Sequence, residues 1–236
     1  MIAAALELRR AVEQLDFSSR VPWVYNPLHY AWRAHQQYLE WYTQATCRVV
    51  FLGMNPGPWG MAQCGIPFGE VERVKNWLHI DATVDKPEPE HPKRPVAGLA
   101  CPKSEVSGKR LWGLMSERFA SAQDFSQHHF VANYCPLVFM EQSARNVTPD
   151  TLPAPLRQPL EVVCDRHLSQ IIRILNPEWV IGVGSFAEKR AQHVVHSEGL
   201  SSIQVGRILH PSPASPAANK GWSGIVTRQL SELGVW

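Results

Sequence analysis

Two amides, one imidazole and one phenyl ring are placed in this chain where side chains can do chemistry. Asn55 sits in Gly53-Met54-Asn55-Pro56-Gly57-Pro58-Trp59-Gly60, directly after the apolar run Val49-Val50-Phe51-Leu52. The run reads as a buried strand, and the glycines and prolines end it in a tight, shaped loop. An amide takes up no proton at neutral pH, so Asn55 either orients a water or a substrate or simply bonds its own turn. His210 occupies a similar place, after Ile203–Leu209 and before Pro211-Ser212-Pro213. A neutral imidazole there can donate to an oxygen that gathers negative charge. Asn133 lies inside the apolar stretch Phe130–Phe139, where its amide needs partners, structural ones or the edge of a heterocycle. Phe68, in Pro67-Phe68-Gly69, either packs in the core or stacks on a planar ligand. Lys103, Lys109, Arg110 and Lys220 lie near Ser104, Ser107 and Ser212; they are a solvated surface or a set of phosphate ligands.

The elements that must position these groups alternate along the chain. Helical periodicity covers Ala3–Leu15, Leu28–Thr43, Val71–Leu78, Leu111–Phe119, Leu156–Leu175, Phe186–His196 and Gly221–Leu233. Strands are expected at Val49–Leu52, Phe130–Phe139 with its exit, Trp179–Gly184 and Ile203–Leu209. Asp85–Pro95, with four prolines among charges, reads as an exposed loop. The alternation implies an α/β fold: a central, mostly parallel four-stranded sheet with helices on both faces. Ligands of such sheets bind beyond the carboxyl ends of the strands, which is where Asn55 and His210 fall.

Composition bounds the rest. A length of 236 residues suits one domain. The net charge is only +2, so an anionic partner has to meet a local basic patch. Cys47, Cys64, Cys101, Cys135 and Cys164 are odd in number and form no Cys-x-x-Cys pair. Reduced, buried cysteines are expected, not a disulfide framework, a zinc ribbon or an iron–sulfur cluster. Glu7, Arg9 and Arg10 interrupt the first apolar residues, and no apolar run is long enough for a bilayer. The expected location is intracellular: cytoplasmic in a bacterium, nuclear in a eukaryote.

Taken together, the segments resemble the single-strand-selective monofunctional uracil-DNA glycosylases, a family of the uracil-DNA glycosylase superfamily. The matching text is Gly53–Pro58 with Met61-Ala62-Gln63, Pro67–Val71, Ser104–Gly108, Asn133 before Cys135-Pro136-Leu137, His210–Pro213, and Ala218–Trp222. The likeness runs from about Pro27 to the C-terminus. It implies hydrolysis of the N-glycosidic bond of uracil in single- and double-stranded DNA, by a monomer, without metal, cofactor, lysine nucleophile or strand cleavage. On that likeness Asn55 would hold the attacking water and His210 would donate to the departing uracil. Asn133 would read the uracil edge, Phe68 would stack on its ring, and Met54 and Gly57 would line the pocket, Gly57 near carbon 5. Such pockets take 5-hydroxymethyluracil as well. Ser104, Ser107, Lys109, Pro211, Ser212, Pro213, Ala214 and Lys220 would contact DNA, with Pro211–Lys220 entering the vacated position of a duplex. The target base must leave the stack to be reached, at a cost of about a few kcal/mol.

Two segments depart from the family pattern. Ala214-Ser215 replaces an Arg-Asn pair in the wedge, and Cys64 replaces a threonine. Weaker action on stable U·A pairs than on single strands or mismatches follows from the first. Three other classes remain open on the residues alone. They are a superfamily member acting on mismatched or deaminated purine bases, a non-catalytic binder of damaged DNA, and a nucleotide-phosphate-binding α/β protein. The last lacks both a Gly-x-Gly-x-x-Gly fingerprint and a Walker loop.

Overall fold

Val49-Val50-Phe51-Leu52-Gly53 is apolar and rich in branched side chains, and it forms a strand buried at every position. Such a run needs cover on both faces, which is the habit of a parallel sheet. The computed structural model describes residues 1–45 and 47–236. Its strands are β1 (Trp23–Tyr25), β2 (Val49–Gly53), β3 (His129–Asn133), β4 (Val138–Met140), β5 (Asn146–Val147), β6 (Trp179–Val183) and β7 (Gln204–Ile208). The helices are α1 (Ile2–Glu13), α2 (Pro27–Tyr30), α3 (Trp32–Tyr42), α4 (Met61–Cys64), α5 (Val71–Asn76), α6 (Val106–Arg118), α7 (Ala122–Ser126), α8 (Ala154–Leu175), α9 (Ser185–Ser197) and α10 (Trp222–Glu232).

The main sheet has the order β3-β2-β6-β7, and all its pairings are parallel. Two glycines show how closely helices cover it. A Cβ on Gly182 would collide with the backbone of Glu188 in α9. A Cβ on Gly206, on the opposite face of the next strand, would stand 2.9 Å from Leu233 at the end of α10. Burial therefore continues on both sides of the sheet. The chain runs from β2 outward to β3, then returns to β6 and β7, so the strand order reverses between β2 and β6. A crevice opens at the carboxyl ends beside such a reversal.

Three expectations need correction. A second, antiparallel sheet, β1-β4-β5, is present. Its strands have three, three and two residues, too short to show a period. The helix expected over Leu28–Thr43 breaks at Ala31, because the Tyr30 carbonyl turns out to accept from Asp85 N at 2.8 Å. The Asp85–Pro95 loop is exposed only in part. Pro87 and His91 are buried, and the Tyr25 hydroxyl accepts from His91 N at 2.6 Å and donates to the Arg94 carbonyl at 3.0 Å. All five cysteines are free and buried, as expected.

Candidate active site

Strand register begins the site. Gly53 pairs with Asn133 across β2 and β3, at the carboxyl end of both strands. A Cβ on Gly53 would overlap both the Asn133 amide oxygen and the Phe68 ring. The bare strand end therefore lets an amide and an aromatic ring meet. Phe68 holds a left-handed backbone with φ 53°, a conformation costing about 1–3 kcal/mol for such a residue. Its turn is fixed from three sides. Trp112 Nε1 donates to the Pro67 carbonyl at 3.1 Å, Gly69 N donates to the Ile66 carbonyl at 2.8 Å, and Gly108 of α6 leaves room for the Phe68 carbonyl. Cys64 acquires a role here. Its thiol packs against Gly69 and donates to the Gly60 carbonyl at 3.4 Å, and burial pushes its pKa up to about 12. A neutral thiol thus joins the Phe68 turn to the Asn55 loop.

Asn55, Met54, Gly57, Phe68, Asn133 and His210 line one cavity of about 230 Å³. The Asn55 amide nitrogen donates to the Leu137 carbonyl at 3.1 Å and to the Pro56 carbonyl at 3.4 Å. Leu137 is delivered by the turn between β3 and β4. With its NH₂ tied to backbone, Asn55 keeps Oδ1 as an acceptor, which suits a water that must be held by one hydrogen. Asn133 is buried, its Oδ1 has no partner, and its NH₂ meets only the Met61 thioether at 3.3 Å. A buried amide without oxygen or nitrogen partners costs stability unless a ligand completes it.

His210 follows β7, and its ring lies 6.5 Å from the Phe68 ring, centroid to centroid. Gly184 makes room for it: a Cβ there would stand 3.2 Å from the His210 ring. Nδ1 accepts from Ser212 N at 3.1 Å. That bond assigns the proton to Nε2, so the free nitrogen is a donor. Burial lowers the His210 pKa, which keeps the imidazole neutral. A neutral donor suits a leaving group that gathers negative charge.

Of the expected DNA contacts, Ser107 and Ser212 reach the cavity. Ser104, Lys109, Pro213, Ala214 and Lys220 are exposed outside it, and Pro211 is buried. The loop after His210 is already ordered: Ala214 N donates to Ser212 Oγ at 3.1 Å, and Asn219 Nδ2 to the Pro213 carbonyl at 2.9 Å. Arg110 braces this loop. Its guanidinium donates to the Pro211 carbonyl at 2.9 Å and to Asn219 Oδ1 at 2.8 Å.

The cavity also holds residues that the sequence reading passed over. Glu105, ahead of α6, approaches so closely that a Cβ on Gly57 would lie 2.5 Å from its Oε2. Burial raises its pKa, opposed by bonds from the backbone N–H groups of Ser107 and Trp59. In the sequence it stands out only as part of the Ser104–Gly108 segment, and no local signal marks it as a pocket wall. Asn146 and Thr148 belong to the unanticipated second sheet and its exit. Met61, quoted only within a motif, supports Asn133. Among the described residues, no group of three His, Cys, Asp or Glu could hold a metal ion, and no helix is long and apolar enough to cross a membrane.

Comparison with known proteins agrees with this geometry. The profile of the uracil DNA glycosylase superfamily matches residues 40–226. Single-strand selective monofunctional uracil DNA glycosylases from Bos taurus and Rattus norvegicus are each 48% identical to this chain. The alignments cover 98% of this chain and 84% and 82% of those proteins. The crystal structure of SMUG2 from Pedobacter heparinus superposes with a TM-score of 0.65 at 16% identity, over 98% of this chain and 97% of that one, a likeness of fold. The chain belongs to the uracil-DNA glycosylase superfamily, among the single-strand selective monofunctional enzymes.

Proposed function

We propose that the protein removes uracil from DNA by hydrolysing its N-glycosidic bond, with the everted base lodged in the cavity between Asn55, Asn133 and His210. The observation that carries this reading is the unsatisfied amide of Asn133 on the cavity wall, beside an aromatic ring held in a strained turn. One amide offers a donor and an acceptor side by side, and the polar edge of uracil offers the complement. Phe68 supplies the face on which the ring stacks.

The chemistry then needs little else. As the bond between uracil N1 and the sugar C1′ lengthens, its electron pair departs with the base, and the Nε2–H of His210 stabilises the charge on the base oxygen. The sugar becomes electrophilic, and a water held by Asn55 Oδ1 adds to C1′; its proton passes to solvent, from which the departed uracil anion takes one up. A strong base is unnecessary because the electrophile is already activated, in contrast with the carboxylate pairs of most sugar hydrolases. No side chain becomes bonded to the sugar, so the strand stays intact.

Two finer points belong to the same proposal. On the family likeness Gly57 would come near carbon 5 of the base, and the protein would accept a 5-hydroxymethyl substituent there. The exposed tip of the 211–220 loop carries Pro213, Ala214 and Pro216, short side chains without charge. Single-stranded DNA and mismatches are therefore better substrates than stable U·A pairs, and the protein acts as a monomer. The test is release of free base from labelled oligonucleotides carrying uracil or 5-hydroxymethyluracil, with and without a chelator. Uracil release that is insensitive to the chelator and leaves an uncut abasic strand supports the reading. Tight binding of uracil DNA without release would replace it by a damage-binding role.

A further inference from the structure

Next to the cavity, three distant segments meet on one indole. Trp59 belongs to the Asn55 loop, two residues beyond Gly57, which places it within about 8 Å of that cavity residue along the chain. The Lys103 ammonium lies 4.0 Å from its ring centroid, and the Arg94 guanidinium lies 5.1 Å from it. Buried Gln63 fixes the loops that carry Trp59 and Arg94. Its amide nitrogen donates to the carbonyls of Pro58 and Pro95, both at 3.1 Å, and its oxygen accepts from Ala97 N at 2.9 Å.

Electrostatically this cluster is incomplete. Two positive charges share one ring, and among the described residues neither has a carboxylate partner, although eight other arginines of the chain do. Arg94 Nε is buried without an acceptor, and the guanidinium's other bond is a long one, 3.3 Å, to the carbonyl of its own neighbour Lys93. The nearby carboxylate of Glu105 is turned inward, to the backbone N–H groups of Ser107 and Trp59. The indole holds both cations in place, and an anion between them would supply the missing acceptor.

We propose that Arg94 and Lys103, seated on Trp59, form a clamp for the phosphodiester backbone of the nucleotides flanking the everted one. The proposal rests on the DNA-directed reading above. It gives the protein a grip on a single strand that does not depend on the wedge, whose Ala214-Ser215 pair offers no long basic side chain. A strand emerging from the cavity meets the clamp within a nucleotide or two, because phosphates recur every 3.4 Å of rise or somewhat more when extended.

The experiment measures affinity for a single-stranded uracil oligonucleotide across a range of salt concentrations, in the Asn55→Ala background so that the substrate persists. Each phosphate contact on a single strand contributes about 0.7 to the slope of log Kd against log salt. Arg94→Gln with Lys103→Gln should lower that slope by about 1.4, and Lys103→Gln alone by about 0.7. Trp59→Leu, with both cations retained, should lower it part of the way. Arg173→Ala, at the opposite end of the sheet, should leave it unchanged. In the active protein the double substitution should act on KM more than on the single-turnover rate at saturating DNA. Thermal midpoints establish that each variant is folded, and Arg94→Lys with Lys103→Arg, which keeps both charges, should restore most of the slope. A folded double variant with the full salt slope overturns the clamp, whether or not uracil is released. A protein that loses the slope as expected but never releases base supports the clamp and fails the glycosylase reading.

Discussion

The carboxyl end of the sheet and the helix pair α8–α9 treat polar groups in opposite ways. Along α8, Asp165 meets Arg190 and accepts from the Tyr134 hydroxyl at 2.8 Å, Arg166 pairs with Glu7 at 2.6 Å, and Arg173 pairs with Glu198 at 2.8 Å. At the cavity the Asn133 oxygen is unpartnered, and beside it Arg94 and Lys103 on Trp59 lack ion pairs among the described residues, as do the exposed Lys109 and Lys220 outside it. Folding alone favours the first arrangement, because an unpaired buried group costs about 1–3 kcal/mol. The second survives because something else completes it. Buried atoms without a partner occur elsewhere too, His167 Nδ1 on α8 among them; what sets Asn133 apart is that its amide lines the cavity, where a ligand can complete it.

Substitutions can break this contrast. Asn55→Ala should reduce single-turnover release of uracil by about 10²–10³ while substrate binding persists, since one preorganised hydrogen-bonding group is worth that much elsewhere. Near-normal release would remove Asn55 from the mechanism. His210→Ala should come next, with the loss smallest for the best leaving groups. Equal loss across 5-substituted uracils would mean that His210 positions and does not stabilise charge. Asp165→Ala should do the reverse of both. It leaves Arg190 with only its longer ion pair to Glu161 and the Tyr134 hydroxyl with only the Glu161 carbonyl, so stability falls by about 1–3 kcal/mol while release per folded molecule stays close to wild type. Chemical denaturation beside an activity assay separates these outcomes.

Acid should expose the scaffold first. Burial lowers the pKa of His35, His129 and His167 to about 4 each. The unfolded chain binds these protons from about pH 6.5 downward, and the folded chain only near pH 4. Their neutral burial therefore costs nothing above that window, and stability falls as pH drops through it. At pH 5 these three groups should take up nearly three protons on unfolding, a slope of about 4 kcal/mol per pH unit. Stability that is flat between pH 7 and pH 5 would show that they are solvated.

The long, periodic parts of this architecture are legible in the sequence. The apolar runs of β2, β3, β6 and β7 and the amphipathic period of α8 announce a covered parallel sheet, and Asn55 and His210 follow two of its strand ends. What escaped was short or non-local. Strands of two or three residues carry no period, so β1, β4 and β5 were unseen, and with them Asn146 and the Leu137 carbonyl that aims Asn55. The break at Ala31 depends on a bond from Asp85, far along the chain. The bracing role of Arg110 was hidden because its partners, the carbonyls of a distant loop, have no signature in sequence. Glu105 appeared only within the Ser104–Gly108 segment, because nothing local shows that it meets Gly57.

Asn133→Leu tests the central claim most directly, with two readings from one protein: single-turnover release of uracil and the midpoint of thermal unfolding. Leucine matches the shape and removes the unpaired amide. The account expects release to fall by at least about a hundredfold, comparable to the loss of an essential hydrogen bond elsewhere, while the midpoint holds or rises. Retained activity with a lowered midpoint would contradict it, because the amide would then be a structural group and the cavity would read its base by other means.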